Sequence, residues 1–144
     1  AIDLDELDWT GGPAHQRLLA QYAERSWTGG LELTVAEVAS GRLIALGGVR
    51  FDIASDAGEL WMLVVHDAWR DLGVGSALIA ELENRVRARG RRWAQLNVEH
   101  DNVRAANLYR RLGYREVGSH PEHWPADDGW EYVTVSTLMR RSLD

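Results

Sequence analysis

The chain has 144 residues, a net charge of −6 at pH 7 and no cysteine. That length corresponds to one domain, residues 1–144, with one hydrophobic core; the missing cysteines exclude disulfides, thiolate metal sites and a cysteine nucleophile. The acidic balance argues against a nucleic-acid surface, and with no apolar stretch of membrane-spanning length and no signal-peptide pattern the expected setting is cytoplasmic, without a membrane partner.

In chain order, Ala1 to Trp9 is short and acidic. Gly12-Pro13 opens a predicted helix with Leu18, Leu19 and Tyr22 on one face, proline suiting its first turn. Leu31 to Ala39 alternates as a strand, Ser40-Gly41-Arg42 reads as a hairpin turn, and Leu43 to Phe51 is the next strand. Ala54 to Gly58 reads as a loop before a Glu59–Val65 strand. Val74, Leu78, Leu82 and Val86 recur at helical spacing, which predicts a helix over Val74–Arg89. A Trp93–Val98 strand and an Asn102–Leu112 helix follow, the latter with Ala105, Leu108, Tyr109 and Leu112 on one face and Gly113 as its stop. Tyr114 to Gly118 begins another strand, His120 to Gly129 reads as a polar loop with two prolines, and Trp130 to Met139 is the last strand. Two antiparallel-type hairpins and one strand–helix–strand unit predict an α/β (α+β) fold, a mixed and mostly antiparallel central sheet flanked by helices.

The most telling stretch is Arg70-Asp71-Leu72-Gly73-Val74-Gly75-Ser76, where the strand turns into a helix N-terminus. Amides there lack intrahelical acceptors, and the helix dipole adds partial positive charge. Glycines let the backbone approach a ligand, and Arg70 adds a full charge. These are the parts of a pyrophosphate cradle, although tight-turn glycines alone explain the spacing equally well. The third glycine of the dinucleotide fingerprint and the Gly-Lys-Ser/Thr of the phosphate loop are both absent, which disfavours a nucleotide-binding domain.

Arg70-x-x-Gly73-x-Gly75 is followed about thirty residues later by Asn102-x-x-Ala105-x-x-Leu108-Tyr109 and a closing Gly113-Tyr114. With both motifs in that order, the chain from Leu31 to Leu143 resembles the GNAT superfamily of acyl-CoA-dependent N-acyltransferases. The resemblance implies acetyl-CoA as co-substrate, no metal, an amine acceptor, and a sheet whose fourth and fifth strands, here Glu59–Val65 and Trp93–Val98, splay to admit the pantetheine arm. The family begins with a strand and a first helix. The acidic Ala1–Trp9 segment departs from this, so a truncated, unusual or missing first strand is expected.

Acyl transfer requires that the donor be held, the amine deprotonated, the oxyanion stabilised and the leaving thiolate protonated. By the resemblance, the cofactor-binding set is Arg70, Asp71, Leu72, Gly73, Val74, Gly75 and Ser76 for the phosphates, the Val64 and Val65 backbone for pantetheine and the thioester oxygen, and Asn102 for a further contact. The valines also read as core residues and Asn102 as a helix N-cap. Tyr109 is the expected general acid. With ordinary values of about 10 for a phenol and about 8.5 for a thiol, a hydrogen bond that tightens as charge develops is more realistic than complete early transfer. Glu59 is the expected base, directly or through water, and its other reading is a carboxylate at a strand end. Asn97 stands where superfamily members that acetylate protein N-termini can carry a glutamate, and it cannot act as that base. Glu99, two residues on, shares its sheet face further out.

The acceptor is less legible. Small molecules and peptides are both open, and Glu122, Asp127 and Asp128 beside Trp124 and Trp130 mark either a cation-binding loop or a solvated connection. The competing expectation is a non-catalytic acyl-CoA-binding sensor on the same fold. The five histidines show no metal-ligand spacing on one helix face. All 16 basic residues are arginine, as codon bias in a GC-rich bacterial genome would produce, and seven tryptophans leave a pocket lining or a homodimer contact open.

Overall fold

The computed structural model describes residues 17, 30–37 and 39–144. The Gly12-Pro13 helix and the question of a first strand in Ala1–Trp9 lie outside the described residues. Among the described residues six strands form one sheet: β1 (Leu31–Glu37), β2 (Leu43–Arg50), β3 (Ala57–Val65), β4 (Trp93–Glu99), β5 (Arg115–Pro125) and β6 (Glu131–Ser142). Their order is β1-β2-β3-β4-β6-β5. Only β3 and β4 run parallel, as a strand–helix–strand crossover demands; the other four pairings are antiparallel. The crossover helix is α1 (Val74–Ala88), and α2 (Val103–Arg111) follows β4. The mixed, mostly antiparallel sheet is the one expected from the hydrophobic pattern.

The core forms where α1 lies on the sheet. Leu78, Ile79, Leu82 and Val86 recur every three to four residues, so they share the face that packs against Ala45, Val49, Leu60, Ala94 and Leu96. Ala105, Leu108, Tyr109 and Leu112 of α2 pack against the same core. One polar cluster ties these parts together. The Tyr114 hydroxyl donates to Glu83 Oε2 on α1 at 2.9 Å, and Arg141 Nη1 on β6 donates to both Glu83 oxygens at 3.0 and 2.9 Å. Glu83 and Tyr114 are buried. Burial, then the neighbouring Glu83 charge, pushes the Tyr114 phenol far above its ordinary value.

One expectation fails. His120 to Gly129 is not a polar loop: β5 continues to Pro125, and the chain turns only between Ala126 and Gly129. His120 through Pro125 pair in register with Ser136 through Glu131 of the twelve-residue β6. A partner ladder outweighs the weak strand propensity of His, Glu and Pro. Pro121 and Pro125 are tolerated because β5 is the edge of the sheet.

Candidate active site

The site begins with a failure of strand pairing. β3 and β4 pair only over Ala57–Glu59 and Trp93–Gln95. Beyond that point β4 continues on β6, while β3 stays with β2. A gap opens between the parallel strands, floored by Glu59 and its neighbours.

A β-bulge in β3 shapes one wall. Leu46 pairs with Val64 and Gly48 with Trp61, so three steps on β3 oppose two on β2. Met62 takes up the extra residue at φ 55, a left-handed conformation uncommon for a non-glycine residue. The opposing strand makes room with Gly47, where a Cβ would stand 2.9 Å from the Leu63 side chain. The Gly47-Gly48 pair was the sequence signal for this bulge, since glycine inside a strand marks a bulge or a close approach.

The two helix N-termini beside the gap differ. α2 is capped: Asn102 Oδ1 accepts from the Ala105 N–H at 3.2 Å. The N-cap of α1 is Gly73, at φ 80, with no side-chain cap. The first intrahelical bond of α1 runs from the Ala77 N–H to the Gly73 carbonyl at 3.1 Å, so the Val74, Gly75 and Ser76 amides have no acceptor within the helix. A Cβ at Gly75 would reach only Val65 Cγ2, at 3.7 Å, so the chain packing leaves room there. Arg70 pairs with Asp67 at 2.9 Å, and Asp71 pairs with Arg104 at the start of α2. Leu72 is exposed.

The gap widens into a cavity of about 800 Å³. Its lining includes Glu59, Asn102 and Tyr109, together with Leu60–Leu63 of β3, Asn97 and Glu99 of β4, and His120–Pro125 of β5. Val64 and Val65 continue β3 from this cavity toward the cradle residues Arg70–Ser76, which do not line it. Burial raises the Tyr109 phenol above its ordinary value, which keeps it a proton-bearing donor at neutral pH. Its ring meets Tyr114 edge-on, with centroids 6.2 Å apart, and its carbonyl accepts from the Tyr114 N–H at 3.0 Å.

Glu59 is 4% exposed and heavily engaged. Oε2 pairs with the Arg50 guanidinium, and Oε1 accepts from Gln95 Nε2 at 2.9 Å and from Asn97 Nδ2 at 3.5 Å. Arg50 in turn lies 5.1 Å from the Trp61 ring centroid. Arg50 and Gln95 were not singled out from the sequence. The register Arg50↔Glu59↔Gln95 brings them together across three strands, a relation that local spacing does not carry. On the outer side, Glu99 accepts from the Tyr132 hydroxyl at 3.2 Å and Glu122 from the Ser136 hydroxyl at 2.5 Å. The Trp124 and Tyr132 rings lie 4.9 Å apart.

An open helix N-terminus, a bulged strand parting from its parallel neighbour and a buried tyrosine at the gap form one arrangement, and comparisons with known proteins give the family and the fold in which it stands. The sequence profile of the acetyltransferase (GNAT) family matches residues 2–114. The chain belongs to the GNAT acetyltransferase family. Its fold is that of a GNAT acetyltransferase from Elizabethkingia anophelis solved with acetyl-CoA (TM-score 0.68, 17% identity, 88% of this chain and 82% of that one). It is also that of the ribosomal-protein-S18-alanine N-acetyltransferase from Escherichia coli (TM-score 0.64, 21% identity, 88% of each chain). An uncharacterised protein of Mycobacterium leprae is 35% identical over 83 residues, and the match spans 58% of this chain but 21% of that longer protein. Among the described residues no helix is long and apolar enough to cross a membrane.

Proposed function

We propose that this GNAT acetyltransferase transfers an acetyl group from acetyl-CoA to a primary amine of a small molecule or peptide by direct attack. The observation that carries the reading is the gap beyond the Glu59–Gln95 pair, with an uncapped helix N-terminus at one end and Tyr109 in its wall. The residues fit the donor: bare amides at Val74–Ser76 with Arg70 nearby suit a pyrophosphate, and the β4-facing edge of β3 suits the amides of a pantetheine arm. Acetyl-CoA, when bound, supplies the thioester carbonyl and its thiolate leaving group.

The chain's own groups then take these roles. Val64 and Val65 present backbone to the arm, and an N–H near Val65 stabilises charge on the acyl oxygen. Asn102, whose carboxamide oxygen is spent on the helix cap, faces the donor with its amide nitrogen. Tyr109 gives a hydrogen bond, and finally a proton, to the leaving sulfur. As the new C–N bond forms and the C–S bond breaks, the nitrogen loses its proton to Glu59. Both Glu59 oxygens are already engaged and the side chain is buried, so the route runs through a water in the cavity.

The test is direct. CoA should raise the melting temperature, and acetyl-CoA should be consumed with at least one amine from a broad panel, releasing free thiol. A folded protein that shows no shift with millimolar CoA overturns the reading. A shift without turnover on any amine points instead to an acyl-CoA sensor.

A further inference from the structure

On its acceptor side the cavity is lined by three carboxylates, Glu59, Glu99 and Glu122. Asn97 Nδ2 faces the Glu59 carboxylate, which cannot donate in its ionised form, so the carboxamide oxygen is turned away from it. That oxygen, Oδ1, is shielded from solvent and has no hydrogen-bond partner among the described residues. A buried acceptor left unpaired is costly, and a donor on a ligand would remove the cost. The outer torsion of an asparagine is soft, and Asn97 lines the cavity.

The charges point the same way. Glu99 lies two residues along β4 on the same face as Asn97, about 7 Å further out. Ser136 is the register partner of Glu99 on β6, and its hydroxyl holds Glu122. Glu99 and Glu122 therefore flank one strand. Among the described residues neither is paired with an arginine, and the arginine lining the cavity, Arg50, is committed to Glu59. His120 Nε2 stands 3.7 Å from Glu122. Trp124 completes the lining with an aromatic face, which attracts cations, while the Trp61 ring already meets Arg50.

We propose that the acceptor is a dicationic amine. Its reacting nitrogen is held at Asn97 and the Glu59 water, and its second ammonium or guanidinium group is held by Glu99 and Glu122 beside Trp124. The proposal rests on the acetyl-transfer reading for the role of the reacting nitrogen, but its binding claim is tested separately.

Cadaverine and pentylamine share a carbon chain and one amine and differ by the second charge. Each is titrated calorimetrically into the protein, with and without saturating CoA. Cadaverine should bind about tenfold or more tightly than pentylamine, the scale of a charge-assisted hydrogen bond. The double variant Glu99→Gln/Glu122→Gln should bring the ratio close to one, whereas Glu37→Gln, an equal loss of charge on β1, should preserve it. Should the double variant melt early, each single substitution should still lower the ratio. Equal affinities in the unaltered protein, no binding of either amine, or a ratio that survives removal of both carboxylates would overturn the proposal. A preference for cadaverine without any CoA-induced stabilisation would keep the dication site and sink the acetyl-transfer reading. CoA binding without that preference would do the reverse.

Discussion

The proposed donor side, where the gap runs to the start of α1, and the proposed acceptor side, in the cavity, are built differently. The donor side is mostly backbone: the uncapped amides of α1, the free edge of β3 and the bulge at Met62. One phenol, Tyr109, completes it. The acceptor side is mostly side chains, contributed by β2, β3, β4 and β5 and set by strand register. A backbone site recognises the constant part of a reaction and tolerates most sequence change around it. A side-chain site can be rewritten residue by residue. This division lets one fold keep its donor while changing its acceptor.

The comparison predicts that damage on the two sides separates cleanly, and on the donor side one substitution should abolish binding. A Cβ fits at Gly75 without clash, so Gly75→Val should fold. The valine would fill the surface the pyrophosphate needs. CoA at one hundred times its Kd should stabilise the unaltered protein by about 2.7 kcal/mol, several degrees in Tm, and the variant should lose that shift entirely. A normal shift in a folded Gly75→Val protein would move the phosphates elsewhere.

Stability is the readout at the floor shared by both sides. Arg50→Leu leaves the buried Glu59 without its countercharge, and breaking such a pair costs about 3–5 kcal/mol. Denaturant unfolding would measure it. The Arg50→Leu/Glu59→Leu double variant should recover much of the loss, because the desolvation penalty disappears with the second charge. A double variant no more stable than the single would mean that the strand junction itself requires the charges.

Tyr109→Phe keeps the ring contacts and removes the proton donor. Turnover should fall about ten- to a thousandfold, with CoA affinity nearly unchanged. Unchanged turnover, with chemistry shown to be rate-limiting, removes Tyr109 from the mechanism. Glu59→Gln should slow turnover most at low pH and be partly rescued as rising pH supplies free amine, which at an ordinary pKa of about 10.4 is scarce at neutrality. A pH profile that Glu59→Gln leaves intact would mean the amine binds already neutral, and Glu59 is then a structural partner of Arg50.

The contrast between the sides also explains what could be read from the chain. The glycine turn before α1 and the helix that carries Tyr109 were legible as local structure because each lies within one contiguous segment. The sheet was legible because its apolar alternation is local. The Arg50–Glu59–Gln95 cluster was not, because three strands must pair before those residues meet. The β5 wall was misread for a related reason. Pro121, Glu122, His123 and Pro125 carry turn composition, and only the long partner strand β6 makes them a strand. Glu99 was visible as a residue sharing the sheet face of Asn97 and Glu122 as a carboxylate of the supposed loop, but the Ser136 position that brings the two near each other was not.

The smallest effect is the one that links the sides to the core. Tyr114 joins the cradle helix to the Tyr109 helix through Glu83, and Arg141 holds Glu83 from β6. Tyr114→Phe removes one hydrogen bond to a charged partner, and Arg141 still compensates Glu83, so the cost at pH 7 should be about 1.5–3 kcal/mol. Its pH dependence identifies the cause. The folded phenol titrates well above its ordinary value of about 10, and the unfolded one near it. The stabilisation is therefore fully present below pH 10 and declines as the pH rises from there toward the folded value, because the unfolded state loses its proton first. Tyr109 is shifted in the same direction by burial and adds to that slope. Tyr114→Phe should flatten the alkaline loss of stability, and the Tyr109→Phe/Tyr114→Phe double variant should flatten it further. If the slope above pH 10 is the same in all three proteins, neither phenol is held neutral by the fold, and the Glu83 cluster does not fix the position of Tyr109 through Tyr114.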